Sequence, residues 1–153
     1  MSDAAATILA ALIGFVGGLI VAAYTFRQKA DELFLAGLQY LEGGSQKRNL
    51  GIAAMELSWS SRRHRRVIVP LLVGVASYLL LESGQKDAAH ELENLRRVMK
   101  LLTGREGRRR LGDEGKAALL DALKRKKKHP ETEPGLWVTA QQLDDWIKRV
   151  EAS

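Results

Sequence analysis

The three histidines are the residues of this chain best suited to acid–base chemistry or metal binding, and their spacing argues against both. His64, His90 and His129 lie far apart, and no two have the i, i+4 spacing that places two ligands on one helix face. The chain has no cysteine, which excludes disulfides and thiolate metal sites. It contains neither GxSxG nor GxxxxGK[ST]. We therefore expect no catalytic residue, no cofactor and no metal, and a protein that is not an enzyme.

Three runs of basic residues are the other groups that could bind a ligand. They contain Arg62, Arg63, Arg65, Arg66, Arg108, Arg109, Arg110, Lys124, Arg125, Lys126, Lys127 and Lys128. Such runs can serve solubility and topology alone, or attract anionic lipid at about 1 kcal/mol per nearby cation. They can also bind the phosphates of nucleic acid. No Phe or Tyr interrupts them to stack on bases, so nucleic acid is the less favoured ligand.

The N-terminal segment is uncharged. Residues 4–26 carry no charge, whereas all 24 lysines and arginines follow from Arg27 onward. As a helix this segment is long enough to cross a hydrocarbon core of about 30 Å, which predicts a single transmembrane span. A cleaved signal peptide is the alternative, but such a peptide has a positive leader and a shorter apolar core. Asp3 before the span and cations after it place residues 1–3 outside and the rest in the cytoplasm, at the inner (plasma) membrane.

One face of the predicted span carries small side chains at every fourth position. They are Ala6, Ala10, Gly14, Gly18 and Ala22, which include one GxxxG step. Small residues let two helix backbones approach closely in lipid, where the hydrophobic effect does not drive association. The pattern predicts self-association into a homo-oligomer, although alanine and glycine are also common in membrane spans.

The rest of the chain predicts a helical bundle of about five further helices. Residues 27–41 keep a helical pattern and continue the span. Gly43 and Gly44 end that helix, with Ser45 as the expected N-cap of the next. Residues 50–59 are apolar on two adjacent faces, which is typical of a helix packed between two neighbours.

The chain divides by composition into a core and a C-terminal part. We expect a helical core over residues 27–104, followed by a basic helix, a linker and an amphipathic helix over 105–153. Residues 105–112 are expected to form a basic loop. Residues 129–135 contain two prolines and predict the linker.

The apolar run at residues 67–81 has two interpretations. As a helix it is about 22 Å long, which is short for a membrane span. If it crossed the bilayer, the basic runs after it would lie outside, against the positive-inside rule. We therefore expect a buried helix of a cytoplasmic bundle, and a two-span protein is the alternative.

The C-terminal helix has the clearest local signals. Thr139 and Gln142 have the spacing of a capping box, and Val138 pairs with Leu143 as a hydrophobic staple. One face carries Leu143, Trp146, Ile147 and Val150. A helix this short is marginal alone in water. This face therefore needs a surface to bury against, on the chain's own core or on a protein partner.

Residues 31–83 resemble an armadillo or HEAT-type helical unit. The resemblance rests on "RNLGIAAMELSW", with small residues where helices would cross, and on "VIVPLLVGVASYLLL" after a basic turn. The arrangement is similar to bacterial membrane-anchored proteins in which one span leads into such a hairpin. The resemblance implies protein binding and transfers no catalytic residue.

Together these features predict an all-α, single-pass membrane-anchored interaction protein, acting as a scaffold, adaptor or regulator. Its protein partner is unknown from the sequence. A membrane-tethered binder of nucleic acid or anionic phospholipid is one alternative. A phage or host protein of infection exclusion or defence is another, suggested by the Ala-, Arg-, Gly- and Leu-rich composition.

Overall fold

The computed structural model is helical throughout the residues that it describes, which are 3–41, 43–84, 88–130 and 135–152. The helices are α1 (Asp3–Leu41), α2 (Ser45–Ser58), α3 (Arg62–Leu81), α4 (Ala89–Thr103), α5 (Arg105–Lys128) and α6 (Ala140–Glu151). No strand occurs among the described residues. Among these residues the predicted all-α class is confirmed, and five helices follow the N-terminal one.

α1 is one unbroken helix of 39 residues. Every described side chain between residues 15 and 30 is exposed, including Phe15 at 66% and Phe26 at 76%. Burial begins near the C-terminal end, where Phe34 joins the core. The N-terminal part of α1 therefore makes no packing contact that covers its described side chains. The side chains of residues 3–14 and 17 lie outside the description, and the membrane span stays a prediction.

α1 ends at Leu41 and α2 begins at Ser45, in agreement with the two glycines between them. The predicted cap is wrong by one position. Gly44 occupies the N-cap with extended backbone angles, φ −61° and ψ 173°, and contributes no side-chain hydrogen bond. Ser45 is already helical, so its hydroxyl cannot act as the cap.

α3 is the central helix of the bundle. Its core face includes Ile68, Leu72 and Leu79, all completely buried, and it packs mainly against α5 and α4. Within the described residues it is the one helix long and apolar enough to cross a membrane, and 56% of its apolar window is buried in the bundle. Length and composition alone do not distinguish a core helix from a span. The burial observed here agrees with a core helix of the bundle.

The packing gives no support to the HEAT-like hairpin. α1 packs chiefly against α2, whereas α3 packs chiefly against α5 and only slightly against α2. The closest neighbour of α3 therefore lies outside the segment that carries the resemblance.

The expected basic loop at residues 105–112 is wrong, because these residues form the first turns of α5. The helix bends at Gly112, whose φ of 63° and ψ of 170° interrupt the helical geometry. A positive φ is readily adopted only by glycine. The expected loop is therefore reduced to a single bend at Gly112.

α6 packs against α5 and α4 of its own chain. Thr139 and Gln142 form the predicted capping box, with both reciprocal hydrogen bonds present. The apolar face is buried, from Val150 at 0% to Ile147 at 9% exposure. Leu136 N donates to the Leu79 carbonyl at 2.8 Å, which ties the segment before α6 to α3. The chain's own core therefore supplies the surface that this face needs.

Candidate binding groove

α3 carries a second apolar stripe that the bundle leaves uncovered. Val67, Leu71, Gly74 and Tyr78 follow one another at helical spacing. The three larger side chains are 48%, 38% and 39% exposed. On a helix that packs on one side only, this position is normally polar. The stripe is therefore a candidate binding surface.

The stripe forms the floor of a groove of about 620 Å³. Leu38 and Leu41 of α1 form one wall, and Val75 of α3 and Arg48 of α2 complete the lining. Concave apolar surfaces with few polar groups are typical of ligand and peptide sites.

Arg48, which lines the groove, is fixed by three interactions of its own and by a fourth that holds its partner Glu91. Its Nη1 donates to Glu91 Oε1 of α4, and its Nη2 donates to the Gly43 carbonyl at 3.3 Å. The guanidinium lies over the Tyr78 ring, 4.9 Å from its centroid. Asn94 Nδ2 donates to the other carboxylate oxygen of Glu91 at 3.1 Å. This network fixes the Arg48 guanidinium beside the Tyr78 ring.

A second polar link joins α2 to α4 beside this network. Arg97 Nε donates to Glu56 Oε1 at 3.0 Å. The hydrogen bond to the Glu56 carboxylate raises the pKa of Arg97 above its ordinary value, with the nearby charge of Glu93 adding to the effect. A charged guanidinium–carboxylate pair therefore links α2 to α4.

Two of the basic runs meet at the N-terminal end of α3. Arg65 is buried, and its Nη1 donates to Glu106 Oε2 of α5 at 2.7 Å. This contact brings residues 62–66 next to residues 105–110. Arg62, Arg63 and Arg66 are exposed, and within the described part of the chain none has a carboxylate at ion-pair distance.

The third basic run lies at the opposite end of the bundle. Lys126 is 1% exposed and donates from Nζ to the Gly135 carbonyl at 3.1 Å. Lys127 pairs with Asp144 at 2.5 Å and Lys124 with Glu151 at 2.9 Å. The predicted basic patch is thus two separate surfaces, and the buried Arg65 and Lys126 serve the packing of the bundle instead.

The ridge of small residues is only partly described. Ala6, Ala10 and Gly14 belong to α1, but their side chains lie outside the described residues. Gly18 and Ala22 are exposed, and a Cβ built on Gly18 would meet nothing within 4 Å. The chain leaves this part of the ridge open, and self-association through it stays a prediction.

Within the described residues, no three His, Cys, Asp or Glu side chains form a group that could hold a metal ion. The histidines are placed for other contacts. His64 Nε2 donates to Asp31 Oδ1 at 2.6 Å, and its ring stacks on Phe34 with centroids 4.5 Å apart. His90 and His129 are exposed.

Sequence reasoning missed the groove because it expected residues 67–81 to form a buried helix. A signal was present in the spacing of Val67, Leu71, Gly74 and Tyr78, which is separate from the core stripe on the same helix. The contributions of Leu38 and Arg48 had no local signal, because they depend on how α1 and α2 pack against α3. No family model, curated protein or solved structure matches this chain.

Proposed function

We propose that this chain is a single-pass membrane-anchored interaction protein of the inner membrane with its bundle in the cytoplasm. The groove on α3 binds an amphipathic helix of a protein partner, and the chain carries out no reaction of its own. The observation that carries the proposal is the exposed apolar stripe of α3 that lines the groove.

The exposure of α1 supports the membrane anchor. Phe15, Leu19, Ile20 and Val21 are each more than half exposed, and no other helix covers them. A continuous apolar surface of this kind is rare on a soluble protein and marks contact with a membrane or another protein. An uncharged helix followed by Arg27 has the charge pattern of a membrane span. Contact with the bilayer covers this apolar surface without a protein partner.

The shape of the groove favours a helix as its occupant. From Val67 to Tyr78 the stripe runs for about 16 Å at 1.5 Å per residue, which matches about three turns of a partner helix. Partner helices of this kind place apolar anchors at i, i+3 or i+4 and i+7 in such grooves.

Charge complementarity favours an acidic flank on that helix. Arg66 is exposed just before the stripe begins, whereas Arg48 at its other end is already paired with Glu91. The chain as a whole carries a formal net charge of +6. Opposite charge at the rim accelerates encounter and selects the orientation of a partner.

A photocrosslinking amino acid placed at Leu71 in the full chain, in intact cells, tests the proposal. We expect a defined protein adduct from Leu71 and none from Leu50, which is 57% exposed on α2 but lies outside the groove. Val67→Glu, introduced beside the Leu71 probe, should abolish the adduct while circular dichroism of the purified chain stays unchanged.

Three outcomes would contradict the proposal. An adduct of twice the chain's own mass would make the groove a self-association surface. Adducts to lipid alone would make it a membrane contact. Equal adducts from Leu50 and Leu71 would show that exposure, not the groove, determines the crosslink.

A further inference from the structure

The basic run at residues 62–66 folds back to the point where α1 leaves its uncharged segment. His64 contacts Asp31 through the 2.6 Å hydrogen bond and stacks on Phe34 with the two rings only 4° from parallel. Asp31 is four residues after Arg27, which is about 6 Å along a helix axis. Residues more than thirty positions apart in sequence therefore meet at one level, at the cytoplasmic end of the proposed membrane helix.

A cavity of about 270 Å³ opens at this junction. Arg27 and Arg63 line it from opposite helices, and Ser60 and His64 line it from the α2–α3 turn and the start of α3. Within the described residues neither arginine has a carboxylate at ion-pair distance. Asp31 also lines the cavity, but its carboxylate accepts the hydrogen bond from His64. The two arginine side chains at this site therefore form no ion pair within the described residues.

The start of α3 also suits an anion here. Ser61 is the N-cap of α3 and accepts a hydrogen bond from His64 N at 3.4 Å. The positive end of the helix dipole therefore lies at the cavity, beside the two arginines.

The chemistry of this lining matches a phosphate group. Guanidinium groups bind phosphate oxygens through paired N–H donors, and serine hydroxyls add single donors. The aliphatic parts of Leu33 and Leu57 also line the cavity, so one side is apolar and the other cationic. An anionic phospholipid is complementary to this lining, because it has a negatively charged phosphate next to apolar acyl chains.

We infer that Arg27, Arg63 and Ser60 form a binding site for the phosphate of an anionic phospholipid headgroup. The site rests on the proposed membrane anchor, because the anchor brings the cavity to headgroup level. It is separate from the groove on α3 and from the lysine-rich run at residues 124–128. Its effect would be to orient the bundle, and with it the groove, relative to the membrane surface.

Thermal unfolding of the full chain in a non-ionic detergent, followed by circular dichroism, tests the site. Dihexanoyl phosphatidylglycerol at saturating concentration should raise Tm by about 3 °C, and dihexanoyl phosphatidylcholine at equal concentration should not. Arg27→Gln combined with Arg63→Gln should remove most of the shift. Lys127→Gln combined with Lys128→Gln changes the charge equally at the far end and should retain it.

The other outcomes overturn the inference. An undiminished shift in the Arg27 and Arg63 variant would place lipid binding elsewhere. An equal shift with inorganic phosphate at matched ionic strength would indicate a free-phosphate site, and an equal shift with phosphatidylcholine would indicate an acyl-chain effect.

Two controls separate this inference from the proposed function. Leu71→Glu should leave the phosphatidylglycerol shift intact, because that residue lies in the groove. Carbonate extraction of membranes reports the anchor independently, so loss of the anchor and loss of the lipid shift cannot be confused.

Discussion

The backbones of Gly37 of α1 and Gly51 of α2 lie against each other where the two helices cross. A Cβ built on Gly51 would lie 2.9 Å from the Gly37 carbonyl oxygen and 2.9 Å from the Leu41 backbone nitrogen. Contacts that short force backbone to move, because neither atom belongs to a flexible side chain. The glycine pair therefore sets the separation of α1 and α2, which is the first packing step after the proposed anchor.

Gly51→Ala should destabilise the bundle. Overpacking costs about 1–3 kcal/mol, and the better helix propensity of alanine offsets about 1 kcal/mol of this. We expect a net loss of up to about 2 kcal/mol in the free energy of unfolding, measured by denaturant titration of the full chain in mild detergent. Gly74→Ala is the matched control, since its Cβ would meet nothing within 4 Å, and it should be neutral or slightly stabilising. Equal stability of the two variants would contradict the close approach.

Glu91→Gln should weaken the junction that positions Arg48 in the groove. Glu91 is 1% exposed, and its loss of charge leaves the largely buried Arg48 guanidinium without its anionic partner. Breaking a buried pair by removing one partner costs about 3 kcal/mol. Glu93→Gln removes the carboxylate of an exposed pair with Arg96 on the same helix and should cost less than about 0.5 kcal/mol. Similar midpoints for both variants in thermal unfolding would show that the buried pair is not structurally important.

Thr139→Ala should loosen α6 from the core. The variant loses the hydroxyl that accepts from Gln142 N at 3.3 Å, and loss of an N-cap typically costs about 1 kcal/mol. Hydrogen exchange of the α6 amides should accelerate about fivefold, which corresponds to that free energy. Gln141→Ala, at an exposed neighbouring position, should leave exchange unchanged; acceleration in both variants would argue against a specific role for the capping box.

Membrane topology can be read from single cysteines, because the natural chain has none. We expect Asp3→Cys to react with a membrane-impermeant maleimide in intact cells, because the positive-inside rule places the N-terminus outside. Ser83→Cys should react only after the membrane is permeabilised. Labelling of Ser83→Cys in intact cells would mean that α3 crosses the bilayer, and labelling of neither before permeabilisation would contradict the predicted orientation.

The sequence alone predicted those features that depend on interactions between residues close together in the chain. The capping box of Thr139 and Gln142 involves residues three positions apart, so its pattern alone predicted the start of α6. Gly43 and Gly44 likewise predicted the end of α1. The 3.6-residue period of the apolar residues predicted the buried face of α6. Because helices are governed by short-range hydrogen bonds and by a local apolar pattern, the all-α fold and its helix count followed from the chain itself.

Tertiary structure decided which surface each helix face packs against and which charged side chains are buried. Composition could not indicate that Arg65 and Lys126 are buried while Arg62 and Arg63 stay exposed, nor that α6 covers its own core. The groove needs α1 beside α3, and the proposed phosphate site needs Arg27 beside Arg63. No local pattern encodes either distance. Such pairings depend on how the helices pack as a whole, where small side chains such as Gly37 and Gly51 fix the separation. The sequence determined which helices form, and their packing decided which surfaces remain to bind a partner.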